Sequence, residues 1–358
     1  MNKYDVCILG GGAAGLAAAA SLKDNLKVCI LEKNRRPGKK IMASGGGRCN
    51  ITNVSAQGVN ETIEFFSRQG LQLYCDREGR YYPYSNQASD VVDILLTTIT
   101  KKNTKIYTEF SADSIRVEGG KFSVYSDKQV VEADRLIIAT GGKSYPELGT
   151  TGDGFTLARK LGHNVNRVYP ILAPVECVDI PNLKGIRAQG IATLLRDGVA
   201  IDSERGEIQF TQDGLSGICI FNLSMSIKAE AGENIRDAMA RYQIELDLAP
   251  DFAPEDIERR DSSFGIVTKR LADIISPADL KQVRFQVKGV KGWKNAQCTA
   301  GGVSLEEINE GTMESRLIPG LYFAGEVLDV QYKCGGFNLQ NAWQTGIKAA
   351  TDINEKIK

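Results

Sequence analysis

The stretch Tyr4–Lys33, YDVCILGGGAAGLAAAASLKDNLKVCILEK, decides the fold. It opens on an apolar run to Leu9, turns through glycines, continues in strong helix formers to Leu22, and returns to an apolar run that ends at Glu32. Strand, turn, helix and strand in that order make a βαβ unit. Gly10, Gly12 and Gly15 form G-x-G-x-x-G at the strand–helix junction. The first glycine permits the tight turn, the second lets backbone approach a pyrophosphate, and the third allows close helix packing. The helix N-terminus behind them offers free N–H groups to phosphates. Glu32 follows Gly15 by seventeen positions, where a carboxylate accepts hydrogen bonds from an adenosine ribose and repels a 2′-phosphate.

Nicotinamide and flavin dinucleotides share this fingerprint, so three further segments carry the choice. KKIMASGGGRCNITN (Lys39–Asn53) is too glycine-rich and too short of apolar periodicity for a regular element, and would cradle a planar ring by backbone contact. IIATGG (Ile137–Gly142) is an apolar strand that delivers Ala139, Thr140 and Gly141 to the same sheet edge. FAGE (Phe323–Glu326) and CGGFNLQNAW (Cys334–Trp343) form the third, the latter opening a helix that runs from about Asn338 to Lys356. A glycine-preceded helix N-terminus suits the negative charge that develops at N1 and O2 of a reduced flavin. Nicotinamide would not require it.

Between these segments the pattern predicts helices near Asn60–Gln69 and from Ser89, as cap, to about Lys101. Short strands follow in TKIYTEF, SIRVE and KFSVYS, with Gly119-Gly120 as a hairpin turn, feeding the strand that ends in ATGG. From about Asn166 to Gln297 alternating segments such as GIATLLRDGVAI and GEIQFTQDG indicate antiparallel β structure, with a helical patch near Pro254–Leu280. The expected division is a discontinuous dinucleotide domain over 1–165 and 298–358, an inserted β-rich domain over 166–253 and 283–297, and a small helical subdomain over 254–282.

The 44 basic and 44 acidic side chains balance, so no global field favours a polyanion or a membrane surface. Locally basic runs, Asn34–Lys40 and Val287–Lys294, keep RNA open as a partner but read first as solvated loops. The eight cysteines include no C-x-x-C pair, which removes the zinc-ribbon and dithiol signals. No signal peptide and no run near the ~18 apolar residues of a spanning helix stand out, so a cytoplasmic, non-membrane protein is expected. Oligomeric state is not readable from the chain.

The segments GGGAAGLAAA, KKIMASGGGRCNITN, GRYYPYSNQASDVV, LIIATGGKSYPELGTTGDGFTLARKLGH, IQFTQDGLSG, GLYFAGEVLD and CGGFNLQNAWQTG, in this order, resemble the HI0933-like family of FAD-containing oxidoreductases, which includes aminoacetone-oxidase-like flavoproteins. The resemblance runs along nearly the whole chain. It implies an α/β, Rossmann-like FAD-binding domain of the glutathione-reductase type, a βαβ unit plus β-meander, with an inserted antiparallel β domain and a helical subdomain that is shortened here. It also implies non-covalent FAD with Gly10, Gly12, Ala13, Ala14 and Gly15 at the pyrophosphate, and Glu32 and Lys33 at the ribose end. Lys40, Ser44, Gly45, Gly46, Arg48, Cys49 and Asn50 would meet the flavin edge and ribityl chain, with Ala139, Thr140, Gly141, Gly325, Glu326, Gly336, Phe337 and Asn338 completing the pocket.

Arg48 would stabilise a reduced flavin or bind an anionic substrate, against the plainer reading of a surface fork paired to a carboxylate. Cys49 and Cys334 adjoin flavin loops and are candidate acids or nucleophiles, although cysteine is also a small buried filler. His163 reads as a packing residue at a helix end, Asp153 as the cap of a helix beginning near Phe155, and Tyr81, Tyr82 and Tyr84 as loop packing. No metal site is signalled.

Flavin fixes the reaction class but not the substrate. The leading expectation is a reductase in which NAD(P)H reduces FAD transiently and hydride passes to an unsaturated or carbonyl acceptor, a small molecule. GTTGDG has the wrong spacing for a second dinucleotide fingerprint, so no dedicated nicotinamide domain is expected. The alternatives are a small-amine oxidase using dioxygen, reduction of a ribosomal RNA base, and a non-enzymatic flavin redox sensor.

Overall fold

The computed structural model describes residues 2–127, 129–230 and 232–357. The chain divides into two compact units, Met1–Tyr169 with Cys298–Lys358, and Pro170–Gln297.

The first unit grows from the βαβ element. Strand β1 (Asn2–Leu9) pairs in parallel with β2 (Val28–Leu31), placing Cys7 opposite Cys29 and Ile8 opposite Ile30. All four side chains are fully buried, so the two thiols pack as apolar fillers. Helix α1 (Ala13–Ser21) follows the glycine turn; its alanines are buried and short enough to bring the helix close to its neighbours.

Helix α2 (Lys39–Ala43) and a 3-10 turn (Ser44–Gly47) come next, so the glycine-rich segment holds more regular structure than its composition predicts. Gly38 at φ 75° starts the helix and Ile41 anchors it in the core. A small antiparallel sheet joins β3 (Thr52–Asn53), β5 (Arg80–Pro83) and β4 (Leu73–Cys75), with helix α3 (Val59–Arg68) between β3 and β4. Helix α4 (Ala88–Lys101) buries Val91, Val92, Leu95 and Ile99, the periodic set. Its start corrects the expected cap: Gln87 is the last extended residue, and Ser89 lies inside the first turn, its hydroxyl on Asp90.

Strands β6 (Lys105–Tyr107), β7 (Ser114–Glu118), β8 (Lys121–Tyr125) and β9 (Val130–Ile138) complete the main sheet, ordered β6-β2-β1-β9-β8-β7. Parallel pairing from β6 to β9 gives way to an antiparallel meander from β9 to β7. The meander leaves β9 after Ala133, and the strand Leu321–Phe323 takes over its free half in parallel, Leu321 opposite Leu136 and Phe323 opposite Ile138. The late segment thereby lies one strand from β1. The chain closes with the helix Phe337–Lys356, whose Trp343 is fully buried edge-on against Phe66 and donates to Ile51 O at 3.1 Å. This helix packs on α1 so closely that a Cβ on Gly346 would lie 2.2 Å from Ala14 O.

The second unit is a closed antiparallel barrel of six strands: Val175–Cys177, Gly214–Ser216, Val199–Phe210, Arg187–Arg196, Tyr242–Asp247 and Val283–Val290, the last returning to the first. Asp197 and Gly198, both at positive φ, make the two-residue turn between its longest strands, the conformation a right-twisted hairpin demands. Leu194, Ile208, Phe210, Ile244 and Leu246 fill the interior. The helical patch is two short helices, Pro254–Glu258 and Lys269–Ala272; Ile257, Leu271, Ile275 and Leu280 join the barrel's own apolar cluster. Among the described residues no helix is long and apolar enough to cross a membrane.

Candidate flavin-dinucleotide site

The three glycines of the fingerprint have three different surroundings. A Cβ on Gly10 (φ 109°) would lie 2.4 Å from Ala139 O, and one on Gly15 would lie 2.0 Å from Gly10 O, so both are closed by the protein's own backbone. Gly12, the residue capping α1, faces open space: a methyl group placed there would have no heavy atom within 4 Å, and no side chain caps the helix. That gap at a helix N-terminus is where a phosphate fits.

Glu32 is buried directly after β2. Its carboxylate accepts from Gly11 N at 2.8 Å and from Asn34 N and Nδ2, both at 2.7 Å. Three donors fix it beside the glycine turn and leave acceptor capacity for a ribose hydroxyl. Lys33 turns instead to Asp153 (2.5 Å) and Thr151 (2.6 Å). Asp153 is the first residue of helix α5 (Asp153–Lys160), and Gly152 at φ 86° occupies the cap, which corrects the capping role expected for Asp153. Burial works to raise its carboxyl, but the bonds from Lys33 and Thr151 win and hold it below the ordinary range.

Past α2, Gly45, Gly46 and Gly47 all take positive φ, and Cys49 does so at φ 60°. Cys49 is fully buried; burial pushes its thiol up to about 12, against a bond from Ser44, so it stays protonated and is a poor nucleophile. Arg48 is exposed, its guanidinium 4.6 Å from the ring centre of Tyr82. Ser44 donates to Ile41 O.

Lys40 ties the segments together. Its ammonium donates to Glu326 at 2.8 Å and to Ser144 Oγ at 2.7 Å, while Thr299 N donates to the other Glu326 oxygen at 2.8 Å. Burial alone would lower the Lys40 ammonium; the facing Glu326 carboxylate overrides it and holds it above the usual lysine range. Residues from α2, the loop after β9 and the loop after Leu321–Phe323 therefore meet at one ion pair. Ser144 and Thr299 were not singled out by sequence reading; GGKSYP and QCTAGG carried only their glycines as a signal.

At the C-terminal side, Gly325 (φ 78°) donates to Thr345 Oγ1 at 2.8 Å, and Gly336 (φ 98°) caps the closing helix with no side chain doing so. A Cβ on Gly336 would lie 2.7 Å from Asn50 Oδ1. The side chain of Asn338 closes on Tyr332, donating to its carbonyl at 2.8 Å and accepting from its N–H at 3.2 Å, rather than pointing at an open pocket. Phe337 and Cys334 are half-buried. His163 is sealed between Glu307 and Ser315 Oγ, 3.0 Å each, with its ring against Phe323, a packing role.

Two tests bear on whether FAD fits these residues. Gly12 leaves a gap that a phosphate would fill, and three buried polar atoms on the segments expected to meet the cofactor stand without a protein partner: Asn50 Oδ1 beside Gly336, Thr52 Oγ1, and Thr140 Oγ1 after β9. Buried polar atoms are rarely left unpaired. A polyhydroxylated, hydrogen-bonding cofactor bound there would satisfy them.

The family model of the HI0933-like protein Rossmann domain matches residues 4–60 and 56–352. The chain belongs to this family. A relative from Clostridium scindens, a 3-dehydro-bile acid delta(4,6)-reductase, is 32% identical across 99% of this chain and 100% of its own length. The alignment runs over 416 positions against the 358 residues here, so that relative carries residues this HI0933-like protein omits. A ribosomal RNA dihydrouridine synthase from Escherichia coli is 27% identical over 99% of the chain and 98% of its own. Among solved structures, a 3-ketosteroid-delta4-(5alpha)-dehydrogenase from Rhodococcus jostii superposes with a TM-score of 0.55 at 13% identity, covering 99% of this chain and 97% of that one, which shows a shared fold. This HI0933-like protein is an FAD-dependent oxidoreductase.

Proposed function

We propose that this HI0933-like protein reduces a carbon–carbon double bond conjugated to a carbonyl in a small molecule. The observation that carries the reading is the assembly of the glycine-rich turn, the Lys40–Glu326 junction and the uncapped closing helix around groups held out of nucleophilic work: burial raises the Cys49 and Cys298 thiols, and the single histidine is sealed in packing contacts. Such a site suits hydride transfer rather than covalent substrate chemistry. The full-length resemblance to a bile acid reductase supports an enone-type acceptor.

FAD, held non-covalently, supplies the hydride when bound. The chain's own residues bind and orient. The free N-terminus of α1 takes the pyrophosphate and Glu32 the ribose; the positive end of the closing helix favours anionic charge nearby. Lys40 is neutralised by Glu326, so it locks three loops without adding a net charge. NAD(P)H acts as a transient donor in the cytoplasm, visiting the same site, since the chain carries one dinucleotide fingerprint.

Reduction of a ribosomal RNA base is the second reading, supported by the relative from Escherichia coli. Charge weighs against it: on the barrel unit Arg187, Arg205, Arg241, Arg284 and Lys291 are paired to carboxylates of their own unit, which leaves them less available to phosphates. Anaerobic reduction with NADH or NADPH, followed by mixing with a steroid enone, an RNA fragment, or an amine and oxygen, tests both. Rapid reoxidation by the enone with loss of its double bond is expected. Reoxidation by RNA alone, or peroxide formed from an amine without NAD(P)H, overturns the proposal.

A further inference from the structure

One cation beside the glycine-rich turn stands outside the Lys40–Glu326 junction. Arg48 is exposed and, among the described residues, its side chain meets no carboxylate and donates only through Nε to Gly45 O at 3.5 Å, a long contact. Its guanidinium is nevertheless held in place. Its Cζ lies over the ring of Tyr82, 4.6 Å from the ring centre, and Tyr82 is itself 2% exposed. Tyr82 stacks on Tyr74 across the β4–β5 pair, with centres 5.9 Å apart and planes 30° apart. Tyr74 donates to Asn86 Oδ1 at 2.6 Å and meets the exposed Tyr84 edge-on at 6.1 Å.

The result is a rigid base of tyrosines with a guanidinium laid on one end. An arginine stacked on a ring keeps its planar fork edge free, and the fork matches a carboxylate through two parallel hydrogen bonds. Flanking Gly46 and Gly47 add no bulk: a Cβ at either would meet nothing within 4 Å, so the approach to Arg48 past the turn is open. Three other surface arginines of this unit, Arg35, Arg36 and Arg68, pair with Glu109, Asp93 and Glu64.

We propose that Arg48, oriented by Tyr82, is the specificity-determining residue for an acidic substrate, pairing its fork with a carboxylate on the molecule that is reduced. The proposal rests on the enone-reductase reading, and deepens it by naming an apolar, carboxylate-bearing acceptor as the preferred class. No covalent step is involved; Arg48 acts in binding.

The test uses the FAD-loaded full chain and a matched pair of probes, a cholenoic acid carrying a ring-A enone and its methyl ester. Each is titrated while the flavin absorbance spectrum is followed, so binding is read without turnover. The wild type is expected to bind the acid at least tenfold more tightly than the ester. Arg48→Met is expected to erase that preference, and Arg48→Lys to restore part of it, because an ammonium keeps the charge but loses the fork. Each variant is titrated at saturating FAD, so that a change in cofactor affinity does not enter the acid-to-ester ratio. An equal loss for acid and ester on Arg48→Met, or a wild type that does not distinguish them or binds neither, overturns the assignment. Should the acid bind through Arg48 without its double bond being reduced, the assignment stands and the reductase reading falls.

Discussion

Gly12 separates cofactor binding from folding, and replacing it with alanine measures the separation. At φ −86° and ψ −164° its backbone suits any L-residue, and the added methyl meets no protein atom within 4 Å. Such a substitution commonly stabilises by roughly 0.4–1 kcal/mol through the unfolded chain. Over a chain of this length that is worth about 1 °C in unfolding temperature. On the proposed site, the same methyl would occupy the gap through which a pyrophosphate reaches the N-terminus of α1. Losing one charge-assisted hydrogen bond there costs about 1.5–3 kcal/mol. At about 1.4 kcal/mol per tenfold, Gly12→Ala weakens FAD by roughly 10- to 150-fold, and Gly12→Val empties the site. Thermal unfolding of the cofactor-free protein and fluorescence titration with FAD measure the two effects independently. Gly15→Ala is the contrast, since its methyl would sit 2.0 Å from Gly10 O and the fold itself must yield. Gly12→Ala protein that binds FAD within threefold of the wild type, or that unfolds several degrees early without cofactor, refutes the reasoning.

His163 gives a pH signature. Burial holds its imidazole below its ordinary value of 6.5, against the opposing pull of Glu307. The unfolded chain therefore takes up a proton first as pH falls below 6.5, so this residue's contribution is present above that pH and is lost on acidification toward the depressed folded value. Wild-type unfolding temperature should fall between pH 7 and pH 5 more steeply than that of His163→Gln, and parallel profiles would contradict it. The thiols rank by exposure: Cys75 is exposed whereas Cys7, Cys29 and Cys49 are buried. Native protein treated with an aromatic disulfide reagent should lose Cys75 first by peptide mapping, and early labelling of Cys49 would show that its site opens.

The βαβ unit was legible because its two signals agree locally: apolar runs of strand length and glycines whose steric roles fall at fixed offsets. The meander and the closing helix followed from the same short-range pattern. Caps were misread because the decisive residue lies before its polar neighbour: Gly152 at positive φ, not Asp153, and Gln87, not Ser89. Barrel closure was out of reach, since Val175–Cys177 pairs with Val283–Val290 across more than a hundred residues and neither strand advertises the other. The Lys40–Glu326 pair, 286 positions apart, was hidden for the same reason, although both residues were named as cofactor contacts. Composition weighs residues one by one, while an ion pair is a property of two.

β1 and α1 are translated before the barrel, yet they belong to a structure that is finished only after it. β1 and α1 leave the exit tunnel early, yet the neighbours that cover them, Leu321–Phe323 beyond β9 and the helix bearing Gly346, are translated only after the entire barrel. The nascent first unit waits, with the face of α1 that meets the closing helix uncovered, until the inserted unit has been translated, whereas the inserted unit has all its strands in one continuous stretch. A stop codon between Gln297 and Phe337 would thus release a chain that holds every barrel strand and lacks the helix that packs on α1.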